Sequence, residues 1–239
     1  MAESYQTEEE QIEALKNWWK ENGQSTVVSI VVAIAAVFGW QALQSQQQAE
    51  LNAASAVYQN MLAAADVANG SATPEQLATA NHLAGTLKQD FPDSTYARFA
   101  ALYKAKMAVE KNDLATAEQE LRWVLDNGTT PELTELARLR LARVLYAQDK
   151  FEEALTQLEG EVAAYAASYE ETRGDIYLAQ AKPELALLSY QKASELNQQA
   201  EATATNPLLE IKLQQLKSSQ GKAVMGSDSD NATVSAEGE

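Results

Sequence analysis

Hydrophobic residues are arranged along this chain in two ways. From Thr26 to Leu43 they form one run, TVVSIVVAIAAVFGWQAL, and no charged residue occurs between Glu21 and Glu50. Elsewhere they recur every three or four residues, the spacing of one face of an α-helix. Leu51, Ala54, Val57, Tyr58, Met61 and Leu62 predict a helix within residues 45–69 that Gly70 and Ser71 end. Thr73-Pro74-Glu75 predicts the next start, with Thr as N-cap and Pro at the first helical position, and this helix runs to about Gln89. Phe91-Pro92-Asp93-Ser94 breaks it and opens another.

The apolar run is long enough to matter by itself. As helix, Val27–Leu43 spans roughly 25 Å, slightly short of a ~30 Å hydrocarbon core. Thr26, Ser25 and Gln44 extend it at the interfaces, and Trp18, Trp19 and Trp40 suit interfacial belts. A cleaved signal peptide, a buried core helix and a single-pass anchor all compete for such a segment. Cleavage calls for a short basic lead and a small-residue site. Here about 25 residues precede the run, and Glu3, Glu8, Glu9, Glu10, Glu13 and Glu21 make them acidic. The anchor is therefore the leading expectation. Lys16 and Lys20 precede the span and no Lys or Arg follows until Lys88, which predicts a cytoplasmic N-terminus and an exported remainder. In a Gram-negative bacterium that places residues from about 44 onward in the periplasm. Ser29, Ala33, Ala36 and Gly39 supply small residues at near-helical spacing for packing on another transmembrane helix, against the alternative of plain lipid exposure.

Beyond the span the chain repeats itself. Aligning Asn112–Val124, Lys150–Glu161 and Lys182–Ala193 superposes Ala117, Ala154 and Ala186. Four residues later stand Leu121, Leu158 and Tyr190, and twelve residues earlier Ala105, Ala142 and Gly174. Small residues let paired helices approach closely, and the large one fills the gap between neighbouring hairpins. The spacings of 37 and 32 residues bracket the ~34 of a tetratricopeptide repeat. The third unit, with Gly174, Tyr177, Ala186, Tyr190 and Ala193, fits that pattern best. The first two are degenerate, with Lys104 and Glu161 where small or apolar residues are expected, so other helical hairpins stay open. Leu208, Leu209, Ile211, Leu213 and Leu216 predict a closing helix after Asn206-Pro207 that shields the last repeat. Residues 218–239 are polar, acidic and aperiodic and predict a disordered tail.

The expected architecture is therefore all-α: one N-terminal transmembrane helix followed by a tetratricopeptide-repeat-like hairpin array. Its parts are a cytoplasmic segment (1–25), a signal anchor (26–44), a periplasmic repeat domain (45–217) and the tail (218–239). Composition agrees, with only 10 Gly and 5 Pro in 239 residues. Eighteen basic against 34 acidic residues leave a net charge of −16, which argues against nucleic acid as partner. Zero Cys excludes thiol catalysis, disulfides and Cys-ligated metals, and one His excludes multi-His sites.

Candidate chemistry is correspondingly thin. Phosphate loops, a nucleophile elbow and H-E-x-x-H are missing from the sequence, so no enzyme activity and no cofactor are expected. His82 has no acidic or nucleophilic partner nearby in sequence and reads as a surface or packing residue. Arg173-Gly174-Asp175 reads as a repeat-packing glycine with solvated neighbours rather than an adhesion motif. Arg140 and Arg143 share a helical face while Arg138 points elsewhere; solvated surface competes there with a docking site for an acidic partner. Tyr96, Phe99, Tyr103, Trp123, Tyr146, Phe151, Tyr165, Tyr169, Tyr177 and Tyr190 should mostly be inter-helix core. Tyr165 and Tyr169, one turn apart on an Ala-rich face, are candidates for a groove that holds client segments.

The lead TEEEQIEALKNWWKENG (Thr7–Gly23) directly before one apolar span resembles the YfgM-like ancillary SecYEG translocon subunits. LARLRLARVLYAQDKFEEAL (136–155) and TRGDIYLAQAKPELALLSYQKA (172–193) are similar to that family too, and the likeness covers roughly residues 7–217. It implies a single-pass type II protein of the cell inner membrane with a periplasmic repeat domain and no catalytic residues. It implies as partners the SecYEG translocon, a membrane-anchored periplasmic prolyl-isomerase-like chaperone and exported polypeptides. The expected function is a membrane-tethered adaptor or chaperone at the export channel that helps new chains reach periplasmic folding factors. The rival expectation is a repeat scaffold of another inner-membrane envelope complex, because a repeat fold does not fix function.

Overall fold

The computed structural model describes residues 8–65, 72–128, 130–199 and 206–218. Among these residues it is all-helical, with nine helices and no strand. The predicted disordered tail, apart from Ser218, lies outside them, as do Gly70 and Ser71. The chain divides into two compact units, Met1–Ala56 and Val57–Glu239.

Helix α1 runs Glu8–Ala64. It joins the acidic lead, the apolar run and the following amphipathic stretch, which the sequence pattern had treated as separate pieces. Its sequence contains no proline, and neither Gly23 nor Gly39 interrupts it. Within the second unit, the end of α1 buries Met61 and sets Tyr58 5.3 Å from the Tyr96 ring and 6.1 Å from Phe99.

Helix α2 (Pro74–Asp90) starts as the sequence predicts. Thr73 Oγ1 accepts from the Gln76 N–H at 3.3 Å, and the Thr73 N–H donates to Gln76 Oε1 at 2.7 Å. This reciprocal box satisfies two donors that a helix start leaves bare. Three hairpins follow: α3 (Thr95–Glu110) with α4 (Leu114–Asp126), α5 (Pro131–Ala147) with α6 (Phe151–Gln157), and α7 (Ala166–Ala179) with α8 (Pro183–Gln199). A final helix, α9, covers residues 207–218. Ser94, Asp113 and Thr130 cap α3, α4 and α5 with their side chains.

The repeat is visible in the backbone as well as in the side chains. Each hairpin turns on one residue with positive φ: Asn112 at 58°, Asp149 at 60° and Ala181 at 57°. These positions share the register of the Ala117, Ala154 and Ala186 alignment. In each turn the following N–H reaches back to a carbonyl five residues earlier: Asp113 to Ala108 at 2.8 Å, Lys150 to Leu145 at 3.0 Å and Lys182 to Tyr177 at 2.9 Å. That is the Schellman arrangement, which satisfies carbonyls at a helix end through a left-handed residue. Asn and Asp tolerate this conformation; the Cβ of Ala181 is strained in it.

The small–small–large pattern lies in the interior. Ala105, Ala117, Leu121, Ala142, Ala154 and Leu158 belong to one buried cluster that also contains Ala137, Leu141, Leu145, Tyr169 and Ile176. Ala186, Tyr190 and Ala193 form a second cluster with Leu209, Leu213 and Leu216 of α9, and half-buried Tyr177 packs against it. α9 therefore covers the last hairpin. Gly174 is the tightest point. A Cβ there would stand 2.5 Å from Tyr190 Cδ1 and 3.1 Å from Cζ, well inside van der Waals contact.

One repeat departs from expectation. The segment aligned as Lys150–Glu161 is helical only from Phe151 to Gln157, because Gly160 takes φ 94° and turns the chain. Glu161 falls in the connecting loop, so no apolar residue is needed there. The other irregularity, Lys104, is held by an acidic partner: its ammonium lies 2.7 Å from Glu120, which is only 5 % exposed. Lys88 of α2 bonds the second Glu120 oxygen and sits 4.7 Å above the Trp123 ring. A buried carboxylate with two cations thus ties α2, α3 and α4.

Two substitutions test this packing. Gly174→Ala forces Tyr190 out of place and should destabilise the repeat domain by about 1–3 kcal/mol in urea unfolding. Ala181→Gly should do the reverse, adding up to about 1 kcal/mol by relieving the left-handed strain. A neutral Gly174→Ala, or a destabilising Ala181→Gly, would contradict these assignments.

Candidate functional site

Two surfaces stand out: the apolar face of α1 and the repeat surface around α5. On α1, Val28, Val31, Val32, Val37, Phe38 and Trp40 are all exposed, and they point to every side of the helix. An 18-residue window within Glu10–Ala64 reaches a mean hydropathy of 2.1 with none of it buried. A water-soluble helix hides its apolar stripe and shows a polar one; a helix apolar all round is a core or membrane helix. Since this one is not in a core, it is long and apolar enough to cross a membrane. Its polar groups are satisfied internally, as hydrocarbon requires: Thr26 Oγ1 donates to Asn22 O and Ser29 Oγ to Ser25 O, both at 2.9 Å. Ser29, Ala33, Ala36 and Gly39 are all exposed, and nothing lies within 4 Å of where a Gly39 Cβ would stand.

The repeat surface separates the residues singled out by sequence. Tyr169 is 2 % exposed and belongs to the core, and its hydroxyl donates to the Glu135 carbonyl at 2.8 Å. Burial pushes its phenol up to about 12. It packs onto α5, and it also lines a cleft together with Glu135, Leu158 and Arg173. Tyr165, the N-cap of α7, is half-buried and packs against the same cluster. Helical spacing correctly joined the two tyrosines on one face, but it does not say whether that face meets protein or water.

Glu135, unremarkable in sequence, is what docks α7. Its two carboxylate oxygens accept from the Ala163 and Ala164 N–H groups at 3.1 and 2.9 Å, just ahead of the α7 start. An anion favours that helix end. Arg173-Gly174-Asp175 is consumed by packing. Arg173 bonds Glu170 at 2.7 Å and Leu158 O at 2.6 Å, and Asp175 accepts from the Tyr190 hydroxyl at 2.6 Å. Lys212 of α9 bonds Asp175 at 2.7 Å and Glu171 at 2.9 Å. Burial works against the Lys212 ammonium, but the hydrogen bonds of Asp175 and Glu171 outweigh it and its pKa rises. The same burial, with Asp175, raises the Tyr190 phenol. His82 is exposed on α2. Among the described residues no group of three or more His, Cys, Asp or Glu is placed to hold a metal.

The three arginines divide as their helical phases predict. Arg138 donates to Glu159 O at 2.9 Å, at the end of the α6 segment. Arg140 and Arg143 face the other way, onto a cleft of about 470 Å³ between α3, α4 and α5.

Comparison with known proteins agrees with this geometry. A family model described as a tetratricopeptide repeat-like domain matches residues 16–218. The chain is 33 % identical over 202 residues to the ancillary SecYEG translocon subunit of Haemophilus influenzae, covering 83 % of this chain and 94 % of that one. It is 34 % identical over 189 residues to the protein of that name from Aggregatibacter actinomycetemcomitans, covering 79 % and 89 %. With the Escherichia coli K12 protein of the same name the identity is 32 % over 180 residues, covering 74 % and 82 %. This chain belongs to the ancillary SecYEG translocon subunit family. No solved structure matches it.

The matched region of this family member includes both the apolar helix and the repeats, so one polypeptide joins a membrane-length helix to a hairpin array. Family name and fold point to an adaptor rather than an enzyme. Adjacent repeats in this subunit are also bridged by charge. Glu118 of α4 accepts from Lys150 at 2.8 Å, Gln148 at 3.1 Å and Arg122 at 2.9 Å. The Lys150 hydrogen bond, opposed by burial and reinforced by Arg122 and Gln148, holds the Glu118 carboxyl below its usual range.

A depressed folded-state pKa stabilises the fold above the unfolded value and is lost as pH falls through the folded one. The family member should therefore lose stability on acidification from about pH 4.3 downward. Glu118→Gln should flatten that part of the profile, as read by thermal melts across a pH series. A profile identical to that of the parent would remove Glu118 from the account.

Proposed function

We propose that the protein is a non-catalytic, membrane-tethered adaptor or chaperone associated with the SecYEG protein-export channel. In this reading residues 1–25 are cytoplasmic, 26–44 anchor the chain in the inner membrane, and 45–217 form a periplasmic repeat domain. Lys16 and Lys20 ahead of the span, with no cation behind it until Lys88, support that orientation. The domain helps newly translocated chains pass to periplasmic chaperones, including a membrane-anchored prolyl-isomerase-like one.

The observation that carries this reading is the union, in one chain, of an unburied apolar helix with a hairpin array, across a region shared with relatives named as translocon subunits. Physically, the anchor holds the repeats near emerging polypeptides. Tethering raises effective concentration, so weak contacts suffice. The small residues Ser29, Ala33, Ala36 and Gly39 give the anchor a face that admits close approach of another transmembrane helix. Open space at Gly39 means that a larger side chain there leaves α1 itself undisturbed. Loss of association on Gly39→Leu would therefore report a helix–helix contact within the membrane rather than a misfolded helix.

A photo-reactive residue at Ser29 or Ala36 tests the reading in intact cells. Adducts with channel subunits are expected. Labelling of lipid alone, together with co-purification of an unrelated envelope complex, would replace the translocon reading with a general scaffold.

A further inference from the structure

We propose that the cleft between α3, α4 and α5 receives a segment of another polypeptide in which apolar side chains stand next to carboxylates. The inference rests on the adaptor reading and names the chemistry of its partner. Leu102, Val109, Leu114, Leu121 and Val144 line the cleft, and about 470 Å³ is room for a few side chains. Val109 is 46 % exposed at its lip, while Leu102, Leu121 and Val144 are buried in its floor, so the cleft opens to solvent at the Val109 end.

The margin supplies the charge. Lys106, Arg140 and Arg143 stand around the cleft against the single carboxylate of Glu110. Lys106 is 3.6 Å from Glu110, a loose pair in which both groups are exposed. Arg143 donates from Nε to Thr172 Oγ1 at 3.2 Å, a hydrogen bond that leaves its charge unneutralised. Arg140 is exposed and, among the described residues, makes no hydrogen bond or ion pair.

That makes Arg140 unlike the arginines outside the cleft. Arg98 bonds Asp93 O and Asn127 O, Arg122 bonds Glu118 and Glu153, Arg138 bonds Glu159 O, and Arg173 bonds Glu170. A chain of net charge −16 thus commits its other arginines to internal contacts and leaves uncompensated cations at the rim of an apolar cleft. Such a margin attracts acidic segments and repels basic ones, while the apolar lining rewards burial of Leu-sized side chains. Acidic flanks select a partner; the lining holds it.

The test uses the full chain in nanodiscs and two fluorescent peptides of equal length followed by anisotropy. One alternates Leu with Glu and the other Leu with Lys. The Leu/Glu peptide should bind, the Leu/Lys peptide should not, and added salt should weaken binding. Arg140→Glu with Arg143→Glu should lower affinity by about tenfold or more, because attraction becomes repulsion at both sites. Both side chains are exposed, and an unchanged melting curve verifies the fold. The paired Arg→Lys variant should retain most of the affinity.

Equal binding of both peptides, no binding of the Leu/Glu peptide, or indifference to the charge reversal would each overturn the proposal. So would a rise in affinity on removing residues 219–239, which would make the acidic tail the occupant. Displacement by oleate would make the site one for an acyl anion. Photo-adducts of the anchor with the channel, measured in the same charge-reversed variant, separate the two readings. Failure of the cleft leaves those adducts intact, and failure of the adaptor reading abolishes them whatever the peptides do.

Discussion

The missing side chain at Gly174 is the constraint on which the end of the array depends. It lets the Tyr190 ring lie where a Cβ would otherwise stand, 2.5 Å from Cδ1. With the ring pressed onto α7, its hydroxyl reaches Asp175, and the same carboxylate holds Lys212 of α9. The closing helix is therefore positioned through a chain of contacts that starts from the absence of one methyl group. Leu209, Leu213 and Leu216 then cover the outer face of the last hairpin, which would otherwise be left to water. In the earlier hairpins Ala105 and Ala142 occupy the equivalent place, with leucine rather than tyrosine as the large residue.

Charge does a second kind of work in this acidic chain. Several of its scarce cations are spent between helices: Lys88 and Lys104 on Glu120, Lys150 on Glu118, Arg122 on Glu153 and Lys192 on Glu170, while Arg122–Glu118 and Arg173–Glu170 pair within one helix. Such pairs contribute little net stability once desolvation is counted, but leaving one partner alone in a buried place is costly. They penalise wrong registers between neighbouring hairpins, which share similar alanine-rich faces. Against that usage the unpaired Arg140 and the loosely held Arg143 and Lys106 offer charge outward at the rim of the cleft between α3, α4 and α5.

The membrane helix and the repeats answer different physical demands. An 18-residue apolar window exposed on all sides is long and apolar enough to cross a membrane and is consistent with an anchor. The hairpins are stabilised by burying alanine and leucine against one another and need no lipid. For an adaptor this division is useful. In the proposed adaptor the anchor would set location and the repeat surface what is recognised, so neither would require high affinity by itself.

Much of this was legible in the residues. The apolar run, the Thr73 cap, the 37- and 32-residue spacings and the closing helix all follow from periodicity and local backbone rules, which act within a few residues. The opposite phases of Arg138 and Arg140 were legible for the same reason. What periodicity cannot carry is which side of a face meets a neighbour. Tyr169 belongs to the core because α5 lies against it, and Glu135 docks α7 from 28 residues away, a contact no local pattern encodes. Lys104 looked like a defect in the repeat until the fold brought Glu120 beside it. The sequence by itself determined most of the helix starts, the repeat spacing and a segment apolar enough to cross a membrane, because these depend on short-range sterics and hydrophobicity. Only the tertiary structure decided the buried ion clusters and the cleft, because both arise where separate helices meet.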